Sequence, residues 1–148
     1  MSGRFRFLED PDGAAELAAL LEDSGVPYKR SGNCFELLFT KQSRTWRTVC
    51  DCEESRVLIY GVHPQPVSDS TAALAACSDI NRQMVRGACF LAQGRIVCRT
   101  GAELFEPLTA REALAQALEY NAAVLSHFWE ALAAGASGSG PFNSVPFG

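Results

Sequence analysis

The chain has 148 residues and a mass of 16.0 kDa, enough for one domain with a substantial core and too short for two comfortable ones. Its 47% hydrophobic and 20% charged residues, with mean hydropathy near zero, exclude a disordered, coiled-coil or collagen-like chain. A net charge of −4 argues against a generic nucleic-acid binder, and no apolar run approaches the ~20 residues of a membrane span.

The opening MSGRFRFLEDPDG lacks an apolar leader stretch and carries acids early, which predicts a cytoplasmic protein. Asp12-Gly13 then opens a first helix. Ala14, Leu17, Ala18, Leu20 and Leu21 recur at helical spacing, and Ser24-Gly25 with Pro27 stops it. Residues 33–40 read as a strand, TWRTVCDC as a second and RVLIYGV as a third, joined by polar turns at 41–44 and 53–55. HPQP at 63–66 breaks the sheet. From Ser68 to about Val85 the pattern is helical again, followed by the hairpin GACFLAQGRIVCR with its turn at Gln93-Gly94.

Thr109-Ala-Arg-Glu112 fits a capping box, in which hydroxyl and carboxylate satisfy free backbone N–H groups. Leu114, Leu118, Ala122, Leu125, Phe128 and Leu132 continue it as one apolar stripe, with Trp129 beside it. The order is helix, three strands, helix, two strands, helix, an α+β class. Residues 1–134 read as a single domain and residues 135–148, beginning in a Gly/Ser run, as a flexible tail.

Hairpin parity extends the reading. With turns centred on 42–43, 54–55 and 93–94, Phe39 faces Trp46, Phe35 faces Cys50, Cys52 faces Val57, Cys50 faces Ile59, Leu91 faces Ile96 and Cys89 faces Cys98. These residues form an apolar core face. The opposite face mixes Leu38, Val49, Leu58, Tyr60, Val62, Phe90 and Val97 with Arg47, Arg56, Arg95 and Arg99. It is too apolar to face water alone and too charged for a closed core. The second helix, with a short Ala-rich stripe, is expected to cover only part of it.

Little here carries catalytic chemistry. The six cysteines (34, 50, 52, 77, 89 and 98) include no Cys-x-x-Cys pair and no nearby His at ligand spacing, and they read as reduced thiols packed as small hydrophobes. A zinc site would need Cys89 and Cys98 to meet Cys50 and Cys52. His63 and His127 are isolated in sequence, and Ser126-His127 point different ways on a helix. Glu53 would face Arg56 across a turn, and Asn81 on the second helix would hydrogen-bond the neighbouring chain. Eleven of the thirteen basic residues are Arg, and those on the strands are expected to pair with helix acids of the same molecule. No Gly-rich phosphate loop, metalloprotease helix or nucleophile elbow is present. No catalytic residue, cofactor or metal is assigned.

The helix ending Ile80-Asn81-Arg82, the strand pair around Gly87–Arg99 with Gly94 at its turn, and the long final helix entered through Leu108-Thr109 resemble the C-terminal half of YbjN-type domains. That family is described as candidate bacterial sensory transduction regulators. The N-terminal half matches in element order and in Leu20-Leu21…Gly25-Val26-Pro27-Tyr28, so the likeness covers roughly residues 13–133. The family is similar in fold to the type III secretion chaperones, which are small, acidic, cytoplasmic and dimeric and hold an extended segment of a secreted partner.

The resemblance implies a non-enzymatic, regulatory or chaperone-like protein that binds another polypeptide or a second copy of itself as a homodimer, with neither nucleic acid nor membrane as partner. A dedicated type III secretion chaperone is the alternative, and a small-molecule binder or enzyme without a readable motif is a further one. Arg47, Leu58, Tyr60, Phe90, Arg95, Val97 and Arg99 are the expected partner-binding residues.

Overall fold

Asp12 begins the first helix through its carboxylate, which accepts the N–H groups of Ala14 at 3.1 Å and Ala15 at 3.4 Å. In the computed structural model, which describes residues 11–138, this helix is α1, Gly13–Asp23. It is followed by strands β1 (Lys29–Ser31), β2 (Cys34–Lys41), β3 (Arg44–Glu53) and β4 (Arg56–Val62). Then come helix α2 (Ser70–Gln83), strands β5 (Ala88–Ala92) and β6 (Arg95–Glu103), and helices α3 (Ala110–His127) and α4 (Trp129–Ser137). The class is α+β, as the pattern predicts.

All six strands form one antiparallel sheet in the order β1-β2-β3-β4-β6-β5. The register is the expected one. Phe39 lies opposite Trp46, Phe35 opposite Cys50, Cys52 opposite Val57, Cys50 opposite Ile59, Leu91 opposite Ile96 and Cys89 opposite Cys98. Two tight turns fix it with left-handed backbone, at Gln42 and Ser43 (φ 55° and 66°) and at Gln93 and Gly94 (φ 51° and 76°).

Every helix packs on the face so defined. One cluster joins Leu17 and Leu21 of α1 and Leu114 and Leu118 of α3 to Phe35, Cys50, Val57 and Ile59. A second joins Ala73, Cys77 and Ile80 of α2, Leu125 of α3 and Leu132 and Ala136 of α4 to Trp46, Cys89, Ile96 and Cys98. Helix α2 therefore covers none of the opposite face, contrary to expectation. Its small residues instead hold it against α4, where Gly135 meets Ala76 so closely that a β-carbon on Gly135 would lie 2.5 Å from that of Ala76.

Four local details depart from the sequence reading. Strand β1 is extra; its three residues are all exposed and carry no apolar alternation. The final helix is two, divided at Phe128 (φ −99°, ψ 13°). Thr109 precedes α3 without a side-chain cap, because its ψ of 1° is far from the extended backbone a capping hydroxyl needs. Helix α4 runs on through Ser137 with Gly135 and Ala136 buried, so residues 135–137 belong to the packed domain; residues 139–148 lie outside the described residues.

Candidate functional site

The helix-free face of the sheet carries a broad concavity. Val49 of β3, Tyr60 and Val62 of β4, Val97 of β6 and Phe90 of β5 form its floor, a strip across four neighbouring strands. Period-two alternation places them there, since each is one position removed from a core residue. Val62 and Val97 are buried, whereas Val49, Tyr60 and Phe90 are half-buried.

The wall is a loop. After β4 the chain passes through Pro64, Pro66 and Val67, tied down by hydrogen bonds from His63 N–H to Ile96 O (3.0 Å) and from Val67 N–H to Gly94 O (2.9 Å). Ser68 N–H then reaches Ala136 O on α4 at 2.8 Å. This loop and the β5–β6 turn enclose a groove of about 870 Å³. Arg47 and Arg95 stand in its lining, which contains no carboxylate. The Arg47 guanidinium approaches Glu36 at 3.6 Å with both side chains nearly half exposed, an ion pair worth little in water.

Of the residues expected here, Arg47, Tyr60, Phe90, Arg95 and Val97 line the groove together. Leu58 and Arg99 do not. Leu58 sits farther along β4, opposite Asp51 and Gly101, and the Arg99 guanidinium lies 5.5 Å from the centre of the Phe90 ring. The sequence reading put Val49 and Val62 on this face without counting them in the site. It missed the Pro64–Val67 wall, for which the two prolines were the available signal.

The arginines pair less with helix acids than expected. Of the strand arginines, Arg44 does so, reaching Glu130 at 2.9 Å, whereas Arg47 approaches Glu36 of β2 and Arg56 pairs with Glu53 across its turn; Arg82 of α2 pairs with Asp79 one helical turn away. Arg111 bridges Glu16 and Asp23 of α1 from α3. Among the described residues Arg95 and Arg99 have no carboxylate in ion-pair range.

The core face offers no reactive chemistry. Cys50, Cys52, Cys77, Cys89 and Cys98 are buried and all six cysteines are free. Burial pushes the Cys50 thiol up to about 12 and those of Cys52 and Cys77 to about 11. The adjacent Cys89 thiol and then burial push Cys98 up as well. Such thiols stay protonated at neutral pH and are poor nucleophiles and ligands. Among the described residues no three His, Cys, Asp or Glu side chains converge as a metal-binding set.

Asn81 does bond the neighbouring chain. Its amide donates to Cys89 O at 3.0 Å and accepts Cys89 N–H at 2.7 Å, pinning the edge strand β5 to α2. His127 is exposed. His63 is buried against Trp129, ring centres 4.4 Å apart, and accepts the Gln65 N–H through Nδ1 at 3.2 Å. Burial lowers its pKa to about 4.

Among the described residues, one antiparallel sheet with its helices on one face gives a YbjN-type, secretion-chaperone-like fold. Two solved structures share it. The chain superposes on YbjN from E. coli, described as a candidate transcription regulator, with a TM-score of 0.56 at 19% identity, covering 82% of this chain and 90% of that one. It superposes on a chain of the HopA1–SchA chaperone–effector complex with a TM-score of 0.51 at 13% identity, covering 80% and 91%. No family model and no curated protein matches the sequence. No helix among the described residues is long and apolar enough to cross a membrane.

Proposed function

We propose that this chain is a non-enzymatic, YbjN-like regulatory or chaperone-like protein that holds an extended segment of another polypeptide on its helix-free sheet face. One observation carries the reading: an apolar groove of about 870 Å³ lies across four strands with Arg47 and Arg95 in its lining and no acid. An apolar centre with a charged rim is the usual anatomy of a protein contact. Main-chain carbonyls and acidic side chains of an extended partner would meet the arginines, and its apolar side chains the valines, Tyr60 and Phe90. The chaperone–effector complex among the structural neighbours supports a polypeptide ligand. It also keeps open the narrower role of a dedicated secretion chaperone, which a secretion operon beside the gene would favour.

The test places a photo-crosslinking phenylalanine analogue at position 90, on the groove floor, or at position 123, on the exposed side of α3. In native cells, light should yield one heavier adduct from position 90 only, lost when Val49→Asp is added while circular dichroism stays unchanged. An adduct of twice the chain mass assigns the face to a second copy, as in a homodimer. Equal adducts from both positions, or none from position 90, would overturn the reading.

A further inference from the structure

We infer that the open edge of β6, residues 100–103, is a second docking site, which takes one extended strand of another polypeptide. That strand runs antiparallel to β6 and is basic at its start, apolar in its middle and acidic at its end. The site shares no residue with the groove on the helix-free face, and the inference does not rest on what that groove binds.

The edge exists because β5 is shorter than β6. Strand β5 begins at Ala88, opposite Arg99. Gly87 just before it has a left-handed backbone (φ 98°), and a β-carbon there would lie 2.5 Å from Arg99 O. The chain enters the sheet only after that bend, so among the described residues no strand pairs with residues 100–103 on the β5 side. On the other side they pair with β4 throughout, from Thr100 opposite Ile59 to Glu103 opposite Arg56.

The ladder decides which backbone groups are free. The two-residue turn at Gln93-Gly94 makes Ala92 and Arg95 a hydrogen-bonded pair. Residues 95, 97 and 99 therefore bond to β5, and the residues between them bond to β4. Leu104 N–H, bonded to Ser55 O at 2.9 Å, continues that second series. Gly101 and Glu103 thus turn their N–H and C=O groups outward, past the end of β5. An edge of this kind is a template for a further strand.

The space beside the edge suits apolar side chains. A hollow of about 280 Å³ lies between residues 100–103 and α3, where Ala102, Ala113 and Ala117 are too small to fill it. Alternate side chains of a docked strand would point into it, on the same face as Thr100 and Ala102. In the chain the edge is flanked by Val85 on one side and by Phe105 and Leu108 on the other, which are 94%, 75% and 98% exposed. Single exposed apolar residues are ordinary, but several bordering one open edge mark a contact surface.

Charge sets the direction. Arg86 stands at the Thr100 end, its guanidinium 4.5 Å from the centre of the Tyr120 ring, whose hydroxyl donates to Arg86 O at 3.0 Å. Glu103 stands at the other end, followed by Glu106. Among the described residues none of these three charges has an opposite charge in ion-pair range. An antiparallel strand starts beside Glu103 and ends beside Arg86. A lysine or arginine first and an aspartate or glutamate last therefore meet both.

The experiment uses the full chain and a short synthetic peptide, lysine first and glutamate last, with valine at alternate positions between. By NMR the peptide should slow hydrogen exchange at the Gly101 and Glu103 N–H groups and shift the methyls of Ala102, Ala113 and Ala117. The same peptide with its two charges exchanged should bind about fivefold more weakly, and Arg86→Glu should bring the two to equal affinity. Gly101→Pro removes one outward donor and spares the β4 ladder, so it should abolish the protection at Glu103. If that variant does not fold, the Arg86→Glu comparison still decides. Slow exchange of both amides in the free chain, shifts confined to groove residues such as Val49 and Val97, or equal affinity of both peptides for the parent would each overturn the proposal. The groove reading is tested apart from this, by the crosslink from position 90.

Discussion

Gly61 of β4 lies directly beneath Asn121 of α3: a β-carbon on Gly61 would fall 2.6 Å from Asn121 Oδ1 and 2.6 Å from Leu125 Cδ2. The closeness lets the buried Asn121 amide reach into the sheet, where Nδ2 is 3.1 Å from Ile59 O, 3.1 Å from Cys98 O and 3.0 Å from Thr100 Oγ1. One helix side chain thus fastens β4 to β6. Gly61→Ala should force α3 outward and weaken that fastening, at a cost of about 1–3 kcal/mol. A urea midpoint equal to the parent's would show that α3 can give way freely.

Stability should fall on mild acidification. His63 is buried with a folded pKa of about 4 against 6.5 when exposed. Between these values the unfolded chain binds a proton that the folded chain refuses. The contribution is fully present above pH 6.5 and lost progressively as pH falls to about 4, amounting to roughly 3 kcal/mol. The Arg44 cation acts in the same direction. Replacing His63 with Gln should flatten the melting temperature between pH 6.5 and 4; an unchanged slope would assign it to other groups.

Thiol chemistry should be confined to one residue. Cys34 is exposed and the other five cysteines are buried. Native titration with a disulfide reagent should therefore consume one equivalent quickly, rising to six after denaturation. Cys34→Ala should abolish the fast phase. Two or more fast equivalents in that variant would mean that the sheet opens readily.

The final helices should respond unequally to truncation. Leu132 is fully buried in the second cluster, whereas Phe128, at the break between α3 and α4, is only half-buried. Leu132→Ala should cost about 2–5 kcal/mol and Phe128→Ala less. Equal costs by denaturant titration would show that the break is held by the Phe128 ring.

Hairpin register was legible because two-residue turns leave no freedom: fixing Gln42-Ser43 or Gln93-Gly94 fixes every pair across that hairpin, whereas the β4–β6 seam and the β1–β2 pairing were not read from the sequence. The residues of the opposite face were legible for the same reason, as the complement of the core alternation, whereas its freedom from helices was not, because α2 packs on the core side. Other features depend on tertiary contact and leave no periodic trace. The Pro64–Val67 wall is held by Ile96 O and Gly94 O, about thirty residues away in sequence. The break at Phe128 follows neither Pro nor Gly. It turns Trp129 against Trp46 and His63, with ring centres 5.6 and 4.4 Å away, an arrangement no helical stripe encodes. The Thr109 capping motif was present in letters alone, since backbone angles decide whether a hydroxyl can cap.

The insertion of β6 between β4 and β5 has a kinetic meaning. Strands β1 to β4 form successive hairpins, and β5 with β6 forms another, so each pairing within these two groups closes only a short loop. The β4–β6 seam alone joins the groups, across the whole of α2 and β5. Short loops close quickly and a long one slowly. Topology therefore predicts assembly as two locally ordered halves that meet late, with Asn121, which bonds to both sides of the seam, making its contacts in that last step. Until then each half exposes a bare seam strand, and these two edges are where one molecule could exchange halves with another.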